Sequence, residues 1–600
     1  MEPEYESVSI CSLPEEVLFK VMKLAGCFST TNHDIRLVCK HFYKAYCAYA
    51  PCGLTFDSTK IGLHAINSMK HSLRRTTNFV IANCGLRGEG SILKEIVKYF
   101  AVHVQKLRFE AKILQRNSIT LADLEFILRS MVNVEEVTFD KMLIDVDPKQ
   151  LVLAVIRMPV LRKIILVDCD EDPADIILCV LEAPLLEAFY VQGYNEMLDF
   201  AEFFQRHKTI KNIAMSIAGI LPNPQAFEHL QLSGLQFYFD SNLRGKFPMP
   251  HDVIARQPML KYLNLLFDQN DVPYEQYAFD EFDVTRVTVN DETFTAVCRL
   301  TELESLKIVL YKVQPNTIEK IARLTKLKEL VLIAIAEDDV DYESDYDYEV
   351  SKIRIDVRCQ KCFQKLIATP LPKLESFTWS SNNNEIDYEH FLSSEEEEMM
   401  NHDREKEYSN LAKVNVAATM APSFPLLKYL KIEMKLNVSI NVREILMRFP
   451  HLETLQLATT STFEGEPILT HEHIKRVKIR EIEKHLLIEM LQSMSNLESL
   501  HIDKTNFSLD KVFLENLQSA VPSQLKEIKL NFTSGRHQDF AVENIVILQN
   551  IVENLQKCEI KLTGNCNFDS LAEKIDRSIH VSLPMSGDDI DDESYMQWRK

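Results

Sequence analysis

The chain has 600 residues, 46 % of them hydrophobic and 26 % charged, with a formal net charge of −21. That length exceeds one compact core and calls for several domains or an extended repeat array, and the acidic balance disfavours nucleic acid and anionic membranes as general partners. The 14 glycines are too few for a turn-rich β-barrel and leave little material for phosphate-cradling loops, while 13 irregularly spaced cysteines suit reduced thiols.

Residues 1–10 open with Met1-Glu2-Pro3-Glu4 and are expected to be disordered. They lack the basic region and apolar run of a secretory signal. No uninterrupted apolar run of about 18 residues follows, so no membrane span is expected. A cytoplasmic or nuclear location is the expectation, and Asn437, Asn506 and Asn531, which open Asn-x-Ser/Thr triplets, are then expected to stay unglycosylated.

From Ser12 the stretch SLPEEVLFKVMKL predicts a short helix. Ser12 and Glu15 form a capping box, and Pro14 sits in the first turn, where its missing N–H costs nothing. Glu15 and Glu16 favour the positive helix end. Val17, Val21 and Leu24 make one apolar stripe; Leu18, Met22 and Ala25 make a second beside it. A further helix is predicted over Asn32–Tyr46, with Ile35, Val38 and Phe42 sharing a face and Leu37, Cys39 and Tyr46 flanking it. Helices confined to 11–55 cannot bury enough apolar surface to stand alone. The rest of the chain, or another protein, has to cover them.

This segment resembles the F-box. The resemblance is carried by Leu13-Pro14, Glu16, the aliphatics Leu18, Val21, Met22 and Leu24, then Val38-Cys39-Lys40 and Phe42. Phe42 stands where the family often has Trp, and Asn32-His33 stand where it usually has an aliphatic pair. The resemblance implies that Leu13, Pro14, Glu16, Leu18, Val21, Met22, Val38, Cys39 and Phe42 bind a Skp-type adaptor, and through it a cullin-RING ubiquitin ligase. The alternative is an N-terminal cap that seals a repeat array.

Most of the remaining chain is periodic. "FPHLETLQLAT" (Phe449 to Thr459), "MSNLESLHIDK" (Met494 to Lys504) and "QPMLKYLNLLF" (Gln257 to Phe267) share the phrase apolar-x-x-apolar-x-apolar. Its first apolar residue serves as an anchor. The anchors are Val104, Val134, Leu161, Leu186, Ile210, Leu232, Leu260, Val284, Leu303, Leu327, Val350, Leu374, Leu427, Leu452, Ile474, Leu497 and Leu525. A weaker candidate, Leu411, falls in the long step after Leu374. Period-two alternation places anchor+3 and anchor+5 on one buried face. Between anchors lie helical stretches such as His485 to Met494, where Leu486, Met490 and Leu491 recur at helical spacing. One strand and one helix per repeat bury their apolar faces only against neighbours.

The predicted fold class is therefore α/β: a small helical F-box at 11–55, then a degenerate leucine-rich-repeat solenoid over 73–583, parallel strands concave and helices convex. The resemblance to leucine-rich repeats includes Cys169 and Asn382 at anchor+8, where the family usually carries Asn or Cys; Lys112, Tyr194 and Ile335 depart from it. The competing reading is an unrelated α/β protein with many parallel strands. Acidic insertions near 337–349 and 385–408, and an acidic tail at 584–600, read as solvated segments.

No enzyme is expected, because no P-loop, G-x-S-x-G or H-E-x-x-H motif occurs. Neither cofactor nor metal is expected. Cys359 and Cys362 form a lone C-x-x-C without partner cysteines at zinc spacing, and His471-Glu472-His473 reads as an exposed turn. The resemblance implies a non-catalytic substrate receptor of an SCF-type ligase; a repeat scaffold without ligase association is the alternative. Outward positions at anchor+2, +4 and +6 supply the candidate substrate contacts Lys431, Arg476, Lys478, Arg480, His501 and Lys529, a basic ridge suited to an acidic or phosphorylated segment. In the middle repeats the same positions read Ile165, Tyr190, Tyr238, Leu266, Val309 and Ile333, a candidate apolar strip.

Overall fold

The structure is a computed structural model. It describes residues 14, 16–18, 20, 52–57, 76–82, 94, 97–111, 118–146, 155–169, 171–192, 200–216, 224–238, 246–248, 251–266, 286–335, 357–382, 414–434, 440–459, 461–467, 470–505, 510–533, 547, 551, 557–563 and 579–582. The chain forms two compact units. The first comprises Met1–Lys246, Asp252–Leu260 and Leu266–Val287, the second Phe247–His251, Lys261–Leu265 and Thr288–Lys600. Both are mixed α/β and dominated by parallel sheet, compatible with a solenoid-like fold.

In the first unit eight strands pair in chain order, all parallel. They are β1 (Cys52–Asp57), β2 (Thr76–Ala82), β3 (Lys106–Glu110), β4 (Glu136–Asp140), β5 (Lys163–Val167), β6 (Ala188–Gln192), β7 (Asn212–Ser216) and β8 (Gly234–Tyr238). Helices α1 (Leu121–Ser130), α2 (Glu171–Val180) and α3 (Ala201–Arg206) lie between them. Parallel neighbours require such crossovers.

The second unit follows the same rule. β9 (Tyr262–Asn264), β10 (Ser305–Tyr311), β11 (Glu329–Ile335), β12 (Ser376–Asn382), β13 (Tyr429–Glu433), β14 (Thr454–Ala458), β15 (Arg476–Glu481), β16 (Ser499–Thr505), β17 (Glu527–Thr533), β18 (Lys557–Thr563) and β19 (Ile579–Ser582) pair in that order, all parallel. Crossovers include α4 (Asp291–Val297), α5 (Val416–Ser423), α6 (Val442–Arg448), α7 (Lys484–Ser493) and α8 (Lys511–Ala520). Side-chain N-caps start α1 (Thr120), α4 (Asn290), α5 (Asn415), α6 (Asn441) and α8 (Asp510), each satisfying an orphan backbone N–H.

The anchor phrase sets the core. At anchor, +3 and +5 the chain buries Val104, Leu107 and Phe109 in one repeat, Leu452, Leu455 and Leu457 in another, and Leu497, Leu500 and Ile502 in a third. Each fully buried side chain of this size contributes about 1.5–3 kcal/mol. A tight turn precedes the strand, and the anchor N–H donates to the carbonyl three residues back: Leu327 to Leu324 at 3.1 Å, Leu452 to Phe449 at 3.1 Å, Leu497 to Met494 at 3.1 Å.

The predicted anchors Val284 and Val350 and the weaker Leu411 lie outside the described residues. β11 pairs directly with β12. The intervening chain supplies a helix at 357–367. Near Val284, the strand Arg286–Val289 pairs through Thr288 and Val289 with the end of β10, whose beginning already pairs with β9. β12 likewise pairs directly with β13.

Candidate functional site

The outward face of the second unit's sheet carries the predicted substrate residues. The register aligns Lys307, Val331, Thr378, Lys431, Gln456, Lys478, His501 and Lys529 in one row across β10 to β17. Neighbouring strands lie about 4.8 Å apart. Four of the six predicted residues therefore share a row. Arg476 belongs to the row with Thr454 and Ser499, and Arg480 lies two residues beyond Lys478 on β15; both are exposed.

Each of these four side chains has an acidic neighbour on the same face. Lys431 Nζ lies 3.1 Å from Glu433, Lys478 Nζ 3.4 Å from Asp503, His501 Nε2 3.1 Å from the same Asp503 oxygen, and Lys529 Nζ 3.9 Å from Glu527. Further back in the row, Lys307 Nζ lies 2.8 Å from Glu329. The alternation that turns Lys431 and His501 outward turns Glu433 and Asp503 outward as well. Counting only the bases missed the acids in the same phase, although the signal was in the sequence. The face is a mixed-charge lattice.

The predicted apolar strip is also broken. Val309 is buried, while Ile165, Tyr190, Leu266 and Ile333 are half-buried. In the first unit Lys163 Nζ sits 5.0 Å from the Tyr190 ring centre, a cation–π contact. Lys163 also reaches Glu136 at 3.4 Å, and Arg108 pairs with Asp140. The side chain of Tyr238 lies outside the described residues.

A second charged feature escaped the sequence reading. At anchor+1 the second unit reads Lys261, Glu304, Lys328, Glu375, Lys428, Glu453, Lys475, Glu498, Lys526, alternating in sign at every step. Backbone bonds of 2.7–2.8 Å join each to the next. Side chains pair at 2.7 Å for Lys328–Glu304, Lys428–Glu375 and Lys475–Glu453, and at 2.9 Å for Lys526–Glu498. Hydrogen bonds from these lysines hold Glu304, Glu453 and Glu498 below the usual carboxylate range, and the partner carboxylates hold Lys328 and Lys428 above the usual ammonium value.

Of the predicted adaptor residues, Pro14, Glu16 and Leu18 are described. Pro14 O accepts from Val17 N at 3.0 Å and Leu18 N at 2.9 Å, and residues 16–18 and 20 are helical, in the predicted place. Leu18 is 0 % exposed whereas Val17 is 42 % exposed. Leu18 therefore faces inward on this helix, while Glu16 and Val17 face outward. Leu13, Val21, Met22, Val38, Cys39 and Phe42 lie outside the described residues.

Cys359 and Cys362 are both buried. Cys362 Sγ donates to Val313 O at 3.4 Å, and burial pushes its thiol up to about 12, which disfavours the thiolate that binds metal. Cys169, at anchor+8, donates to Phe139 O at 3.4 Å and so ties the turn as its position predicts. His471 is not the surface residue the sequence suggests: it is 5 % exposed. Ile474 N donates to its Nδ1 and its Nε2 reaches Phe449 O, both at 3.2 Å. His207 does the equivalent, with Ala183 N donating to Nε2 at 3.0 Å and Nδ1 donating to Phe203 O at 2.8 Å. Gln257 is the third case, accepting from Leu232 N and donating to Phe227 O. All three sit three residues before an anchor, where other repeats place apolar residues. Their polar atoms tie adjacent repeats together.

Among the described residues no helix is long and apolar enough to cross a membrane, and no group of three or more His, Cys, Asp or Glu is placed to hold a metal ion. No protein-family model and no curated protein matches this chain.

Proposed function

We propose that this protein is a non-catalytic substrate-recognition subunit of an SCF-type ubiquitin ligase, built from an F-box and a leucine-rich-repeat array. The F-box-like segment engages a Skp-type adaptor, and the outward sheet face holds a protein substrate near the ligase. Such a subunit accelerates transfer by raising the effective concentration of a substrate lysine. The observation that carries the reading is the pairing of Leu13-Pro14-x-Glu16 and Val38-Cys39-Lys40-x-Phe42 with a parallel strand array whose outward positions carry a dense polar row.

The compensation within that row shapes the reading. Lys431, Lys478, His501 and Lys529 already have carboxylate neighbours, so a substrate gains specificity through charge alternation more than through bulk attraction. A scaffold without ligase association, its N-terminal helices capping the array, is the second reading.

Co-purification of the full chain with a Skp-type adaptor separates the two. Under the ligase reading the adaptor co-purifies, and Val17→Asp weakens the association while the melting temperature holds. Leu18→Asp is no substitute, because a charge at a buried site destabilises the fold by itself. A wild-type chain that never retains the adaptor leaves the cap reading.

A further inference from the structure

Two exposed histidines in the second unit have a geometry that differs from that of the buried His207 and His471. His451 and His473 each immediately precede an anchor, Leu452 and Ile474, on consecutive turns. Their ring centres are 5.6 Å apart with planes inclined at 49°. The strand register fixes this spacing: Lys475 N donates to Glu453 O at 2.8 Å, and Thr454 pairs with Arg476. Side chains at this turn position do meet across repeats, because Lys326 Nζ lies 2.6 Å from Glu302 at the corresponding pair of turns.

We propose that His451 and His473 form a binding site for a divalent late first-row transition-metal ion, chelated by two imidazoles with water completing its shell. Metal–nitrogen bonds of about 2.0–2.1 Å put each ring centre about 3.2 Å from the ion, so two rings at a tetrahedral angle have centres about 5.2 Å apart. The observed 5.6 Å needs only a small side-chain adjustment, which exposed rotamers permit. Imidazole suits nickel, copper and zinc.

The ring nitrogens are available. His207 and His471 have both nitrogens committed to the backbone. His451 and His473 make no hydrogen bond or ion pair among the described residues.

The test is calorimetric titration of nickel chloride into the full-length chain at neutral pH. The expected result is one event that either His451→Gln or His473→Gln weakens at least tenfold, with melting temperature unchanged. Asn496→His places a third imidazole at the same position of the next turn and is expected to tighten that event at least tenfold. Background binding by the other histidines and cysteines is common to all variants and cancels in the comparison. An isotherm that neither substitution alters overturns the proposal. So does an event that one substitution abolishes and the other leaves intact, because the ion is then held elsewhere.

Discussion

Glu453 sits 2.7 Å from Lys475 on one side and within the field of Lys428 on the other. It is one member of an alternating ladder from Lys261 to Lys526, in which every charge has opposite charges as its neighbours. A single exposed pair contributes little; a continuous alternation differs from a pair in how it responds to a swap. Exchanging the two residues, Glu453→Lys with Lys475→Glu, preserves the pair. The exchange also sets a positive charge at position 453 against Lys428 and a negative charge at position 475 against Glu498. We expect this double variant to melt below wild type, and the difference to shrink when salt is raised, because screening weakens exposed like-charge repulsion. A double variant that melts as wild type at low salt reduces the ladder to independent pairs.

The strand array was legible in the sequence because one physical constraint writes it repeatedly. Anchor, +3 and +5 face a shared core, so Leu452, Leu455 and Leu457 announce a strand without reference to any neighbour. What the phrase does not encode is whether an adjacent edge is open. The strand Arg286–Val289 joins β10 through Thr288 and Val289, while β9 holds the beginning of β10. The outward face was legible in direction but not in charge: Asp503 and Glu433 obey the same alternation as His501 and Lys431. His471 misled for another reason. Its buried site is polar only because two backbone groups need partners there, and no local pattern signals that.

Trp379 gives a test of such unmet need. It is fully buried on β12, packed 5.6 Å from the Phe363 ring, and its Nε1 has no hydrogen-bond partner among the described residues. A buried orphan donor costs about 1–3 kcal/mol, which offsets part of what the indole contributes by packing. Trp379→Phe removes the donor and leaves a modest void. Its net effect in urea unfolding is expected to stay within about 1 kcal/mol, against about 3–5 kcal/mol for Trp379→Ala. A Phe variant as damaging as the Ala variant shows that shape alone governs the site.

Arg443 on α6 clamps two other segments. Its guanidinium donates to Gly465 O at 2.8 Å and to Glu489 on α7 at 2.5 Å. Gly465 holds φ +102°, a conformation that favours glycine, so the loop there has few alternative ways to present its carbonyl. Arg443→Met is expected to destabilise the chain by about 1.5–3 kcal/mol, the range for hydrogen bonds to charged groups. Arg443→Lys should recover only part of this, since an ammonium cannot reproduce the fork. Equal stability of the Met variant in denaturant melts removes the clamp.

The two buried histidines predict an acid limit. Burial holds both His207 and His471 below the ordinary imidazole pKa of 6.5. Each ring also accepts a backbone N–H on one nitrogen, a bond that protonation destroys. The unfolded chain therefore binds more protons than the folded chain once pH falls below about 6.5. Stability is fully present above that pH and is lost as pH falls from there through the depressed folded values. Gln257 shows the remedy, because its amide accepts and donates in the same repeat position without titrating. His471→Gln and His207→Gln should each reduce the fall in melting temperature between about pH 7.5 and about pH 5.5, a window that spans the histidine titration, and together reduce it further. Melting curves for the four proteins at the two pH values decide the matter. If the double Gln variant loses as much on acidification as wild type, other groups set the acid limit.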